Sequence, residues 1–268
     1  MMIQFNLNRF ANLAIWSLTM DRRWFLKTTL SWLVVLTLMF LFFTCVTRFN
    51  NQPASLQAYQ SCASMVVATF VILFVLGSTM MFNSMKGKHD DQRLMMLPAS
   101  NLEKYLMRYS NWLLLLPSFV GSFVVADLLQ YLVNLLLGHE GRMLVMQYMM
   151  IPHFNIGAHF NIGAVPSPLG ISIGLTFVWL HSFYALGTTF FRSHKYNWVM
   201  TSIVLIAGGI FGGTLWPNDY FALHIDEHTA IHLLYLWNGI YILLIAFNFW
   251  LSYRFFFRQQ VIGRFVNL

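Results

Sequence analysis

Long apolar stretches alternate along this chain with short segments that collect most of its charged residues. An apolar run of about eighteen residues or more is typical of a helix that crosses a membrane, because each residue adds about 1.5 Å and the hydrocarbon core is about 30 Å thick. The pattern predicts an all-α protein with a single transmembrane domain over residues 1–268. Its six predicted transmembrane helices are 28–47, 63–82, 111–137, 170–191, 198–216 and 230–257.

Residues 5–27 differ from these stretches because polar and apolar side chains are interleaved. Phe10, Leu13, Trp16 and Met20 are spaced to form an apolar stripe along one side of a helix that has basic ends. This pattern predicts an interfacial elbow helix on the inner membrane surface. The alternative is a long cytoplasmic extension of the first transmembrane helix.

Composition supports a membrane protein. Hydrophobic residues make up 58% of the 268 residues and charged residues only 9%, whereas a soluble domain has about 25% charged residues. A net charge of +7 is compatible with nucleic-acid binding, but that function needs a solvated basic face. Here the basic residues lie at the ends of apolar stretches, so we expect a bilayer and no nucleic acid as the partner.

The lysines and arginines also predict an orientation. If the N-terminus is cytoplasmic, all sixteen basic residues except Arg48 and Arg142 lie in inside segments. Positive residues are enriched in cytoplasmic loops of membrane proteins. Both termini are therefore predicted to be cytoplasmic.

The predicted cytoplasmic loop 83–110 contains the chain's most polar run, MKGKHDDQR, followed by LMMLPASNLEKYLMRY at residues 94–109. Pro98 disfavours a helical conformation at Leu97. Ser100 and Glu103 form an S-x-x-E capping box, which predicts that a helix begins at Asn101. This helix is either a separate amphipathic element or simply the capped end of the third transmembrane helix.

Six predicted spans, an amphipathic N-terminal segment and the loop RLMMLPASNLEKYLMR resemble the type-2 permease family of ATP-binding-cassette (ABC) transporters, in particular bacterial members with an LPAS-type loop. The resemblance implies a non-enzymatic permease subunit of an exporter in a bacterial inner membrane. It implies a second permease copy or paralogue, and a separate ATPase subunit that carries the ATP, so that this chain has no cofactor of its own. The implied coupling helix, which docks on the ATPase, comprises Leu97, Pro98, Ala99, Ser100, Asn101, Leu102, Glu103, Lys104, Tyr105 and Arg108. Within it, Lys104 and Arg108 are expected to steer the contact.

Away from the ends of the predicted spans lie two ionisable residues, Asp127 in the third and His181 in the fourth. Ionisable groups in the hydrocarbon core are costly and often mark a transport path or a proton relay. Both residues are therefore candidates for the translocation path. The alternative for each is a buried, hydrogen-bonded polar contact.

The fifth predicted span contains AGGIFGG, in which Gly208 and Gly212 share one helix face and Gly209 and Gly213 share another. Small residues four apart let helices approach closely in lipid, so these four glycines are predicted to serve helix packing. A hinge or a contact between subunits is the alternative.

The predicted outer loop, 138–169, contains a short apolar segment and a repeat. MLVMQYMMI, residues 143–151, is too short to cross the membrane and predicts an interfacial or re-entrant helix. HFNIGAHFNIGA, residues 153–164, is interpreted as a local duplication, because two copies are too few for a repeat fold.

Further outer residues suggest other chemistry. His224, His228 and His232 are weak metal candidates, because His228 and His232 lie one helical turn apart; the default is a solvated loop with no metal. Metal binding would instead indicate a membrane metalloenzyme, and a third alternative is a non-transporting assembly protein. Cys45 and Cys62 form either a disulfide or two unpaired thiols.

Overall fold

The computed structural model describes residues 5–49, 56–82, 94, 96–138, 142–150, 167–191, 196–215 and 227–258, and none of these residues is in a strand. The helices are α1 Leu7–Phe49, α2 Leu56–Gly77, a 3-10 helix Ser78–Phe82, α3 Asn101–Leu113, α4 Leu115–Leu136, α5 Val145–Met149, α6 Ser167–Phe190, α7 Asn197–Leu215 and α8 Glu227–Phe257. The predicted all-α fold is confirmed for the described residues.

Five helical stretches are long and apolar enough to cross a membrane: Leu7–Thr44, Leu56–Phe82, Asn101–Leu136, Leu169–Phe190 and Ile231–Phe257. They correspond to five of the predicted spans. The remaining predicted span, 198–216, coincides with α7, whose apolar portion Asn197–Phe211 is shorter than the other five. The five long helices indicate a multi-pass membrane protein.

The N-terminal segment and the first span form one unbroken helix, α1, of 43 residues. No glycine or proline lies between residues 5 and 49, so nothing in the sequence interrupts the backbone hydrogen bonds. Residues 5–27 were predicted as a separate elbow, but the structure has the continuous helix of the alternative interpretation. The location of this segment at a membrane surface stays a prediction.

The described helices belong to two compact units. The first unit comprises Met1–Ile15, Phe74–Trp112 and Pro166–Leu268, and the second comprises Trp16–Leu73 and Leu113–Val165. The core of the second unit is a cluster of apolar side chains from α1, α2 and α4, among them Leu36, Phe40, Val66, Phe119 and Ala126.

Polar bonds join α6 to α8 within the first unit. They are Ser172–Asn238 at 2.7 Å, Ser182–Asn248 at 3.0 Å and Thr189–Ser252 at 3.2 Å. Lipid tails are as apolar as leucine, so burying apolar surface between two helices gains little in a membrane, and hydrogen bonds of this kind contribute to helix association. The pairing of α6 with α8 therefore rests on buried hydroxyl and amide groups as well as on packing.

At Gly187 α6 lies close to α7, and an added methyl group there would overlap the side chain of Thr201. The predicted packing glycines behave differently, because a methyl group at Gly208 or Gly209 would have no heavy atom within 4 Å. Gly212 also lies in α7. Within the described residues no neighbour packs on Gly208 or Gly209, whereas Gly187, which the sequence pattern did not single out, permits close packing. Packing at Gly212 and Gly213 and between subunits stays a prediction.

We expect Gly187→Ala to lower the unfolding temperature of the purified protein, because Thr201 is buried and has little room to move. Overpacking of this kind costs about 1–3 kcal/mol. Gly174→Ala on the same helix is the matched control, since nothing lies within 4 Å of the added methyl group. Equal unfolding temperatures for the two variants in a thermal melt would contradict the close approach of α6 and α7.

Candidate functional site at the start of α3

The start of α3 is stabilised by the predicted capping box. The Ser100 backbone N–H donates to the Glu103 carboxylate at 2.8 Å, and the Glu103 N–H donates to the Ser100 hydroxyl at 3.3 Å. The helix begins at Asn101. The sequence prediction of this helix start is confirmed in its position and in its chemistry.

The same carboxylate also binds the N-terminal end of α1. Arg9 forms a two-pronged ion pair with Glu103, at 2.9 Å from Nε and 2.6 Å from Nη2. The Asn6 backbone N–H donates to Glu103 at 2.7 Å, while the Asn6 side chain accepts hydrogen bonds from the first N–H groups of α1. Glu103 is fully buried. One side chain thus caps α3 and fixes the beginning of α1 to it.

On its other side α3 packs against the C-terminal end of α8. The Tyr105 hydroxyl is hydrogen-bonded to Ser252 Oγ at 3.0 Å, and the Tyr105 ring lies 5.7 Å from the Tyr253 ring and 5.6 Å from the Phe256 ring. Tyr105 is 5% exposed. Tyr105 was expected to dock on the ATPase as part of the coupling helix, but its side chain is buried within this chain.

The two predicted steering charges are also buried. Lys104 is 4% exposed and Arg108 is 3% exposed, and both have partners within the chain. A side chain enclosed in this way presents almost no charge to an approaching protein. The expectation that Lys104 and Arg108 steer an ATPase is therefore corrected, and so is the placement of Glu103 on a docking surface.

The surface that remains exposed at the start of α3 is apolar. Met96 is 82% exposed, Leu102 is 39% exposed, and Pro98, which lies between them in the chain, is exposed as well. We call these three residues the apolar tip. Of the other predicted docking residues, Leu97, Ser100 and Asn101 are half-buried and Ala99 is buried.

His181, a predicted path residue, is enclosed in the first unit among aromatic rings. Its Nδ1 lies 2.7 Å from the Phe74 carbonyl oxygen, and because a carbonyl only accepts, Nδ1 carries the proton. In the neutral imidazole Nε2 then accepts from the Tyr109 hydroxyl at 2.8 Å. The Trp112 ring is centred 4.4 Å from the imidazole. His181 is a satisfied, buried contact that ties α6 to α3 and to the end of α2.

Asp127, the other predicted path residue, lies in the second unit and caps α5. One carboxylate oxygen accepts the Val145 N–H at 2.8 Å and the other accepts the Met146 N–H at 2.9 Å. With five residues, α5 is too short to cross a membrane, which confirms a short helix within the predicted segment 143–151. Asp127 and His181 both form the buried, hydrogen-bonded contact of the alternative interpretation. A role of either residue in transport stays a prediction.

Several predicted features lie outside the described residues. They are the polar run 85–93, the repeat at 153–164, His224, and the side chains of His228 and Cys45. Cys62 is a buried free thiol in the second unit. Within the described part of the chain, no group of three His, Cys, Asp or Glu residues is arranged to hold a metal ion.

Comparisons of the chain with protein-family models, curated proteins and solved structures found no match. The class of protein therefore rests on the helices themselves, which indicate an all-helical, multi-pass membrane protein. Its distinguishing local feature is the start of α3. Glu103 caps this helix and bonds it to α1, and the apolar tip is exposed beside the cap.

Proposed function

We propose that this chain is the membrane-spanning permease subunit of an ABC exporter, with a separate ATPase subunit bound at the apolar tip. The observation that carries the proposal is the start of α3, where the charged side chains are turned inward and Met96, Pro98 and Leu102 are turned outward. Exposed apolar patches are typical of sites that contact another protein or a membrane, and we assign this patch to a protein because it lies at the start of the predicted coupling helix. The sequence of this segment, LMMLPASNLEKYLMRY, is also the part that resembles the coupling loops of type-2 permeases.

The proposed topology has six spans, with α7 as the fifth, and both termini in the cytoplasm of a bacterial cell. Within the first unit, Arg9 near the start of α1 and Ser252 near the end of α8 both bond to α3. These three segments therefore lie on the same side of that unit. The distribution of lysine and arginine supports assigning that side to the cytoplasm.

The bonds of α3 support a mechanism for passing motion from the ATPase to the membrane helices. Glu103 links α3 to α1, Tyr105 links it to α8, and Tyr109 links it to His181 of α6. A push on the apolar tip would displace α3 together with these bonded helices, because packed interfaces switch between discrete arrangements and do not deform continuously. ATP binding and hydrolysis take place on the partner subunit, and a second permease copy or a paralogue completes the path.

We expect Leu102→Asp to weaken ATPase binding while leaving the fold intact, because the Leu102 side chain is 39% exposed. Loss of a central apolar anchor costs about 2 kcal/mol or more, which is roughly a 30-fold loss of affinity. The measurement is purification in mild detergent, followed by assay of the co-purified ATP hydrolysis. Met96→Asp should have the same effect.

Met150→Asp is the matched control for Met96→Asp, since Met150 is 71% exposed and belongs to the other unit, beyond α5. It should retain the ATPase. Undiminished ATPase binding and hydrolysis with Leu102→Asp would rule out the apolar tip as the docking site. Purification of the unaltered chain without any ATP-hydrolysing subunit would count against the transporter function itself.

A further inference from the structure

One face of α4 carries three buried polar side chains in the second unit. Asp127, Gln130 and Asn134 follow one another at helical spacing and are 2%, 0% and 1% exposed. Side chains three and four residues apart lie on the same helix face. This polar face is surrounded by the apolar core of the unit, which includes Phe119 and Val145.

Tyr59 of α2 belongs to the same cluster. Its hydroxyl accepts the Met143 N–H at 3.1 Å, and Asp127 binds the N–H groups of Val145 and Met146, which follow shortly after along the chain. Met143 and Val145 are two residues apart, so the Tyr59 hydroxyl and the Asp127 carboxylate bind neighbouring backbone groups beside the start of α5. Gln130 lies one helical turn from Asp127 on the same face of α4.

The hydrogen bonds of this cluster are incomplete. Neither Oε1 nor Nε2 of Gln130 has a hydrogen-bond partner, although both atoms are buried. Each oxygen of Asp127 accepts one backbone N–H, and a carboxylate oxygen has room for a second interaction. A buried amide without partners is unfavourable, which favours a ligand that satisfies it.

The Asp127 carboxylate has no positive side chain bonded to it among the described residues. Its bonds go to backbone N–H groups. An ionised carboxylate inside an apolar core is unfavourable unless a positive charge accompanies it. A single positive charge would neutralise it, whereas a divalent ion would leave an excess charge in the same core.

We propose that a small monovalent cation, sodium, binds between Asp127, Gln130 and Tyr59. Carboxylate, amide and hydroxyl oxygens are the ligands that hard cations prefer. The Asp127 carboxylate supplies the charge, and Gln130 Oε1 and Tyr59 Oη supply neutral oxygens. Because the same carboxylate holds α5, bound sodium would stabilise this corner of the second unit. The site is independent of ATPase docking at α3.

The test uses the full-length chain in lipid nanodiscs, with sodium chloride compared with choline chloride at equal ionic strength. Radioactive sodium should bind saturably at one ion per chain. The unfolding temperature should rise by about 5–10 °C when sodium is a hundredfold above its dissociation constant. No saturable binding, together with an unfolding temperature that is the same in both salts, would overturn the proposal; a proton residing on Asp127 would give that result.

Gln130→Met removes both unpartnered atoms and nearly preserves the side-chain volume, so sodium affinity should fall at least tenfold. Tyr59→Phe should also weaken sodium binding. This variant tests the location of the site if Gln130→Met does not fold. Gln57→Met is the matched control, because Gln57 is an exposed glutamine on α2 and its loss should leave sodium binding unchanged. Sodium binding that survives both Gln130→Met and Tyr59→Phe would place the ion elsewhere.

Discussion

Glu103→Lys should release the N-terminal end of α1 from α3 and lower the unfolding temperature of the protein. The native carboxylate accepts the Ser100 and Asn6 backbone N–H groups and the guanidinium of Arg9. A lysine would leave both N–H groups without an acceptor and would face a second positive charge. Loss of an acceptor for partly buried donors costs about 1–3 kcal/mol each. Thermal melts and limited proteolysis of residues 5–15 measure the two effects.

Glu103→Gln is the control, because its amide oxygen still accepts from a backbone N–H while the ion pair is lost. It should cause a smaller drop in unfolding temperature and less proteolysis. Combining Glu103→Lys with Arg9→Glu should recover part of the loss, since the opposite charges are restored with their positions exchanged. If Glu103→Lys melted like the glutamine variant and resisted proteolysis equally well, the junction would not stabilise the protein.

Asp127→Ala should detach α5 from α4. Val145 is fully buried, so its N–H would lose its acceptor with no water to replace it. Together with the loss at Met146, we expect a destabilisation of about 2–5 kcal/mol. Amide hydrogen exchange at residues 145 and 146 should become much faster than in the unaltered protein.

This experiment is done in choline chloride, so that cation binding makes no contribution. Asp127→Asn retains one acceptor oxygen and should give an intermediate result. Ser122→Ala is a further control, because Ser122 is a buried polar residue of the same helix that bonds to carbonyl oxygens of α1 and α4 and does not hold α5. Unchanged exchange at residue 145 in the alanine variant would show that Asp127 does not anchor α5.

The parts of this protein that could be predicted from the sequence depend on residues close together in the chain. The capping box joins Ser100 to Glu103, three residues apart, and its chemistry is visible in four letters. The five helices that are long and apolar enough to cross a membrane follow from the length of their apolar stretches. The continuity of α1 also follows from the absence of glycine and proline, although the amphipathic pattern of residues 5–27 favoured a break.

The parts that could not be predicted join distant segments. Arg9 and Glu103 are separated by 94 residues, and no periodic pattern links an arginine in one helix to a glutamate in another. The amphipathic pattern of α3 suggested exposed charges at Lys104 and Arg108, yet α3 is enclosed on most sides and both are buried. Gly187, not Gly208, is the site of close packing, because the neighbour that requires the glycine is Thr201 of another helix.

The sequence by itself determined which segments are helical and where α3 begins. It also determined that several helices are long and apolar enough to cross a membrane. Both results depend on local composition, because the hydrogen bonds of a helix and its transfer into lipid involve residues close together in the chain. Only the tertiary structure decided which face of each helix is covered. In an apolar chain both the lipid-facing and the protein-facing sides are hydrophobic, so the pattern that reveals a buried face in a soluble protein is largely lost. The partners of Glu103, Asp127 and His181 are set by that packing.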